Sequence, residues 1–177
     1  MIDPKATERF MTAPWLTEVD PEIKKAICNV LVETKAPAGA VLLEQGQPND
    51  HLTFLIEGTV VVDRGFRNGH RESIIPLNAP TVFGTTSFFL PSPPTVNVRA
   101  TSSVWMLSLF HPAHESLRRT NPHAADAIAL AVVRALSERF NLMDELFSQR
   151  MAQSASEPVR QSEWASFRTS LFEEPGI

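Results

Sequence analysis

With one cysteine, Cys28, this 177-residue chain has no internal disulfide to draw on. A chain of this length can bury a core of its own, so stability calls for neither disulfides nor a metal. Cys28 sits in the apolar run ICNVLV and reads as a buried thiol, because a redox role wants a second cysteine. Long apolar runs are missing too. None approaches the ~18 residues of a membrane span, and the opening MIDPKATERF is too polar for a secretory signal. A cytoplasmic protein without membrane insertion is expected. The net charge of −4 is spread, not blocked. It offers no basic face for a phosphate backbone, so no nucleic-acid partner is expected.

Catalytic constellations are equally scarce. Of the five histidines, only His111 and His114 stand close, with Glu115 beside them. That pair straddles a helix start and lacks a third ligand, so it does not read as a metal site. Ser87 and Ser92 lie outside any nucleophile-elbow pattern, and Glu44 and Asp50 flank a turn whose hydrogen bonds they satisfy. No catalytic residue, metal or cofactor is expected.

The most telling absence is local. Between Glu72 and Arg99 there is no Asp, Glu, Lys or Arg. The stretch IIPLNAPTVFGTTSFFLPSPPTVNVRA has a glycine after Phe83, a Thr-rich connection, and a proline cluster before an alternating run. Glycine lets backbone approach closely, so the layout suits a small ligand. No cation inside it would hold a charged one, and no carboxylate or histidine would move a proton.

What is present is β-rich. Residues 1–15, with Pro4 and Pro14 and little periodicity, read as an arm. From Thr17 to Glu33 the spacing of Ile23, Ala26, Ile27, Val30 and Leu31 predicts a helix capped by Thr17. Six of the seven glycines then fall between 39 and 84, punctuating short β-prone runs. These runs are Val41–Leu43, LTFLIEG, TVVVDRG, Ile74–Ile75, Val82–Phe83, Thr95–Ala100 and Val104–Leu109, with Gly58 as a reversal. The pattern argues a roll or sandwich, not βαβ units. Helix returns from His111 to about Arg119, and restarts at Asn121-Pro122, a capping residue before a first-turn proline. Ala124, Ile128, Ala131, Val132, Ala135 and Leu136 form its apolar stripe, which Phe140, Met143, Leu146 and Phe147 continue for about two turns. The residues from 150 are polar, with Trp164, Phe167, Leu171 and Phe172 at the spacing of a short docking helix.

Together these landmarks resemble the cyclic nucleotide-binding domain family. The first signature is Gly39, Val41-Leu42-Leu43, Glu44, Gly46, Asn49-Asp50, Phe54-Leu55-Ile56, Gly58 and Val60-Val61-Val62. The second is a segment like the family's phosphate-binding cassette, opening Phe83-Gly84-Thr85 and closing Pro93-Pro94-Thr95 before Val96-Asn97-Val98-Arg99-Ala100. The resemblance covers residues 16–149 and implies a mainly β fold with flanking helices. That fold is a jelly-roll β-roll, or double-stranded β-helix, at about 36–110, with trailing helices at about 112–149 and a tail at 150–177.

Two departures bear on function. The family's cassette glutamate holds the ribose hydroxyl and its arginine pairs with the cyclic phosphate; the matching positions here are Thr85 and Pro94. Proline offers none of arginine's planar, charge-assisted donors. Losing such a buried partner costs about 2–5 kcal/mol, roughly 30- to several-thousand-fold in affinity. Pro80, where the family often has glycine, also stiffens the approach. The expectation is a non-catalytic regulatory or protein-interaction module that does not bind cAMP or cGMP tightly. The alternative is a genuine cyclic-nucleotide or other small-ligand sensor, contacting ligand through Phe83, Gly84, Thr85, Thr86, Thr95 and Arg99. Arg99 reads either as a substitute cation or as an ordinary sheet-face arginine. No helix-turn-helix is read after Gln149. In related domains the long helix forms a dimer seam or transmits the signal. Leu136, Phe140, Met143, Leu146 and Phe147 are therefore the interaction residues, for a homodimer or for a protein partner whose identity the sequence does not reveal.

Overall fold

The computed structural model describes residues 2–66, 69–90 and 92–154, the side chains of 146 and 150–154 excepted. Among the described residues, eight strands form two antiparallel four-stranded sheets. In chain order the strands are β1 (Val32–Ala36), β2 (Val41–Leu43), β3 (His51–Glu57), β4 (Thr59–Gly65), β5 (Arg71–Asn78), β6 (Thr81–Phe83), β7 (Asn97–Ala100) and β8 (Val104–Phe110). One sheet runs β1-β8-β3-β6 and the other β2-β7-β4-β5. This is the expected β-roll with flanking helices.

Strand alternation divides the core into two. Leu55, Val60, Phe83, Val98, Ala100, Val104 and Met106 fill the space between the sheets. Leu52, Phe54, Ile56, Leu107 and Leu109 point the other way and are covered by helices. The covering helices are α1 (Pro4–Met11), α2 (Pro21–Cys28) and the first turns of α5 (Pro122–Ser154), with α4 (His111–Thr120) following β8 in the chain. In α5 the buried stripe is Ala124, Ala125, Ile128, Ala131 and Val132, close to the spacing read from the sequence. Asn121 caps it, its Oδ1 accepting from the Ala124 amide at 3.2 Å. The Arg134 guanidinium reaches Glu18 at 2.7 Å.

Two expectations are corrected. Residues 1–15, read as an arm of little periodicity, contain a helix packed on the core. Asp3 caps α1 through its Oδ1 and the Lys5 amide at 2.8 Å, Pro4 occupies its first turn, and Ala6 and Phe10 are fully buried. An eight-residue helix carries too few apolar positions to announce itself, and Phe10 is apolar cargo only because a sheet face awaits it. The second correction shortens the helix predicted from Thr17 to Glu33. It starts at Pro21, where Asp20 accepts from the Glu22 amide at 2.8 Å, and ends at Cys28. Thr17 instead back-bonds to the Pro14 carbonyl at 2.8 Å, in a short turn over Pro14–Leu16. Val32 to Ala36 pair with β8 as a strand, Val32 opposite Ser108 and Ala36 opposite Val104. A ladder of long-range hydrogen bonds outweighs helical periodicity there. Cys28 is buried at 6% exposure, and that burial pushes its thiol up to about 11, which makes it a poor nucleophile at neutral pH.

The described residues divide into two units, one up to Ala135 and one from Leu136, the division falling within α5. In the second unit Leu136, Phe140, Met143 and Phe147 are exposed by 40, 51, 65 and 38%. Leu146 lies on the same helix, its side chain outside the described set. Trp164, Phe167, Leu171 and Phe172 lie outside the described residues. No helix among the described residues is long and apolar enough to cross a membrane.

Candidate functional site

β6 delivers the uncharged segment to the edge of the first sheet, with Phe83 opposite Thr53 and Val82 opposite Phe54. Gly84 follows at φ +77°, a left-handed conformation that side chains other than glycine rarely adopt. A β-carbon there would also stand 2.9 Å from the His51 carbonyl oxygen and 3.2 Å from Asn49 Nδ2. The turn leads into a short helix, α3 (Thr85–Phe89), in which the Phe88 amide donates to the Gly84 carbonyl at 3.0 Å.

A side chain from the turn before β3 locks this helix down. Asn49 Nδ2 donates to Ser87 Oγ at 3.0 Å and to the His51 carbonyl at 2.7 Å. Ser87 is only 4% exposed, and its hydroxyl in turn donates to the Gly84 carbonyl at 3.3 Å, so the buried group is satisfied. At the far end of the segment Pro94 is buried, and its carbonyl accepts from the Gly46 amide at 2.8 Å. The two landmark turns, around Gly46 and Asn49, thus hold the two ends of the cassette-like segment.

Of the residues expected to contact ligand, Phe83, Gly84, Thr85 and Thr86 are brought together by this turn. Phe83 and Thr85 are each 4% exposed, while Thr86 and Thr95 face solvent. Arg99 goes elsewhere. On β7 it lies opposite Val61 and Val41, on the face away from the inward-pointing Val98 and Ala100. Its Nε stands 3.7 Å from Asp63 Oδ2, and its Nη1 donates to the Gly39 carbonyl at 3.4 Å. Asp63, 7% exposed, also accepts from Asn97 Nδ2 at 2.8 Å. These contacts are those of a sheet-face arginine.

Several members of this arrangement escaped the sequence reading. Asn97 is buried, and its Oδ1 accepts from the Gln45 amide at 2.9 Å; a polar residue between Val96 and Val98 was the only available hint. Asn49 and Ser87 are 38 residues apart, and nothing in either neighbourhood names the other. Near the turn, the His51 ring 2.9 Å from the Asp50 carboxylate holds that carboxyl below its usual range. A separate groove of about 790 Å³ between α1, α2 and β1 shares no lining residue with the cassette-like segment. Among the described residues no cluster of three His, Cys, Asp or Glu is placed to hold a metal.

The geometry is therefore an uncharged turn-helix-strand segment set on a β-roll. Comparison with known proteins places it. The chain is 27% identical over 132 residues to a CRP-like cAMP-activated global transcriptional regulator of Mycobacterium tuberculosis, covering 73% of this chain and 58% of that protein. It thus spans little more than half the length of that relative. A solved cyclic nucleotide-binding domain from Methylobacillus flagellatus superimposes with a TM-score of 0.74 at 20% identity, over 87% of each chain. The N-terminal domain of a transcriptional regulator from Streptomyces coelicolor A3(2) gives 0.62 at 25% identity, over 76% of this chain and 94% of that one. Residues 33–121, from β1 through the end of α4, match the cyclic nucleotide-binding domain family itself, to which this chain belongs.

Proposed function

We propose that the chain is a non-catalytic regulatory module that keeps the cyclic nucleotide-binding fold, does not bind cAMP or cGMP tightly, and acts through protein contacts. One observation carries the reading. A cyclic nucleotide would bring an anionic phosphate to a segment without a cation from residue 73 to 98. The position that would supply arginine is Pro94, buried with its carbonyl already committed to Gly46. Arg99, the nearest cation in sequence, is engaged by Asp63 on the outer sheet face. An anion seated without a charged partner forfeits the strong hydrogen bonds that offset its lost hydration.

Thermal unfolding with and without cAMP or cGMP tests this. Ligand at 100 times its Kd adds about 2.7 kcal/mol of stability. At millimolar nucleotide the midpoint is expected to stay where it is. A rise of several degrees would overturn the reading and favour the second one, a small-ligand sensor. That alternative draws support from the retained left-handed Gly84 and the buried hydroxyl residue Thr85 heading α3.

The protein contacts fall to α5. Leu136, Phe140, Met143 and Phe147 recur at alternating four and three residues, the spacing of a helix–helix seam. The reading is a homodimer through this seam, or docking of a protein partner on it. Charging the seam with Leu136→Glu and Met143→Glu is expected to turn a dimer into a monomer on sizing with light scattering. If the unaltered chain is already monomeric at high micromolar concentration, the dimer is dismissed and a partner remains.

A further inference from the structure

α3 contributes no titratable group of its own, yet the surface it presents to α4 is met by two histidines. Phe88 is 2% exposed and lies parallel to the His111 ring, with centroids 4.3 Å apart and planes 12° off. His114, one turn on, meets Phe88 at 5.3 Å and 61° and Phe89 at 5.7 Å and 84°. It is 9% exposed. A neutral imidazole packs against phenyl rings as another aromatic does. An imidazolium in the same place would have to surrender most of its hydration.

The charged neighbours do not compensate. Glu115 favours a protonated His114, but Arg118 and His111 oppose it, and Glu115 is itself paired with Arg118 at 3.0 Å. From the β3 side, Asp50 is bound to His51 at 2.9 Å and touches α4 through its carbonyl, which accepts the His111 amide at 3.1 Å. Burial is the largest influence, and it holds the His114 imidazole below its ordinary range.

We propose that the α3–α4 contact is an acid-released latch: protonation of His114 expels its ring from the Phe88–Phe89 surface and loosens the cassette helix. This goes beyond the regulatory reading, since it operates whether or not the segment takes a ligand. The direction follows from the preference for the neutral ring. A pH unit or more above about 6.5 the imidazole is neutral in both latched and released states, and the latch is at full strength. Below that, the released state gains a proton that the latched state resists, so the contact weakens until the latched ring also titrates.

Amide exchange in the ¹⁵N-labelled full chain reads this directly. The Phe88 and Leu90 amides donate to the Gly84 and Thr86 carbonyls, and their protection, corrected for intrinsic exchange, reports opening of α3. From about pH 7.5 to about pH 5, protection is expected to fall by about tenfold for each pH unit that separates the released and latched midpoints. In His114→Phe it should stay flat, and in His111→Phe the fall should persist. An equal fall in His114→Phe, or none in the unaltered chain, would overturn the proposal. Should His114→Phe not fold, the ring proton shifts of His114 decide. A midpoint below about 6.5 coinciding with the loss of protection supports the latch, and one at or above it refutes it.

Discussion

Replacing Phe10 by alanine is expected to lower the unfolding free energy by about 3–5 kcal/mol, the range for emptying a buried phenyl site. Phe10 is fully buried and meets Phe54 edge to face, with centroids 5.1 Å apart. Phe54 is also covered by Trp15 at 6.0 Å, so the cavity would open at the centre of the helix-covered core. Domains of this size have about 5–15 kcal/mol in all, and the melting temperature should drop by about 6–20 °C. Chemical denaturation checks the number. A loss under about 1 kcal/mol would mean that α1 frays from the sheet in solution, and the N-terminal segment would revert to the loose arm its sequence suggests.

The second large effect concerns backbone space. Gly58, between β3 and β4, adopts φ +92°, and a β-carbon there would stand 2.3 Å from the Ser103 carbonyl oxygen. The β7–β8 turn is strapped to this reversal, which carries the chain from one sheet to the other. The Thr59 amide donates to Ser102 Oγ at 2.9 Å, and the Thr101 amide donates to the Thr59 carbonyl at 2.9 Å. Because the obstacle is backbone, nothing nearby can rotate away. Gly58→Ala therefore meets a left-handed penalty of about 1–2 kcal/mol and a packing conflict of about 1–3 kcal/mol. Gly39 is the control, at φ +87° with nothing within 4 Å of its added carbon. Gly39→Ala should show the conformational penalty alone. Urea midpoints of the two variants, compared side by side, separate these contributions; equal losses would remove the steric one.

Legibility along the chain tracked the range of the interactions concerned. The run from Gly39 to Val62 was readable because tight turns are local, although its strands pair with distant ones. Glycines mark the reversals, and short apolar runs mark the strands β2, β3 and β4. Asn121-Pro122 announced α5 for the same reason, the cap and the first turn being neighbours in sequence. The helix read to Glu33 runs over the first two residues of β1 because that strand's character comes from β8, about 70 residues away. α1 was missed because Phe10 finds its partner, Phe54, in a distant strand. The cassette-like segment falls between these cases. Its turn is local and was recognised, whereas the Asn49–Ser87 bond that fastens it is not.

By itself the chain's order of residues decided that residues 73–98 bring no formal charge to their own surface, since folding rearranges side chains but creates none. It also decided where the chain turns after β3 and after β6, because the left-handed angles at Gly58 and Gly84 are cheap only for glycine. Tertiary structure alone decided where Arg99 would go. Strand alternation and the pairing of β7 with β4 set it beside Asp63 instead of beside Thr85. That choice depends on register, and register is settled by which apolar residues reach the space between two sheets, a property of the whole roll and of no single segment.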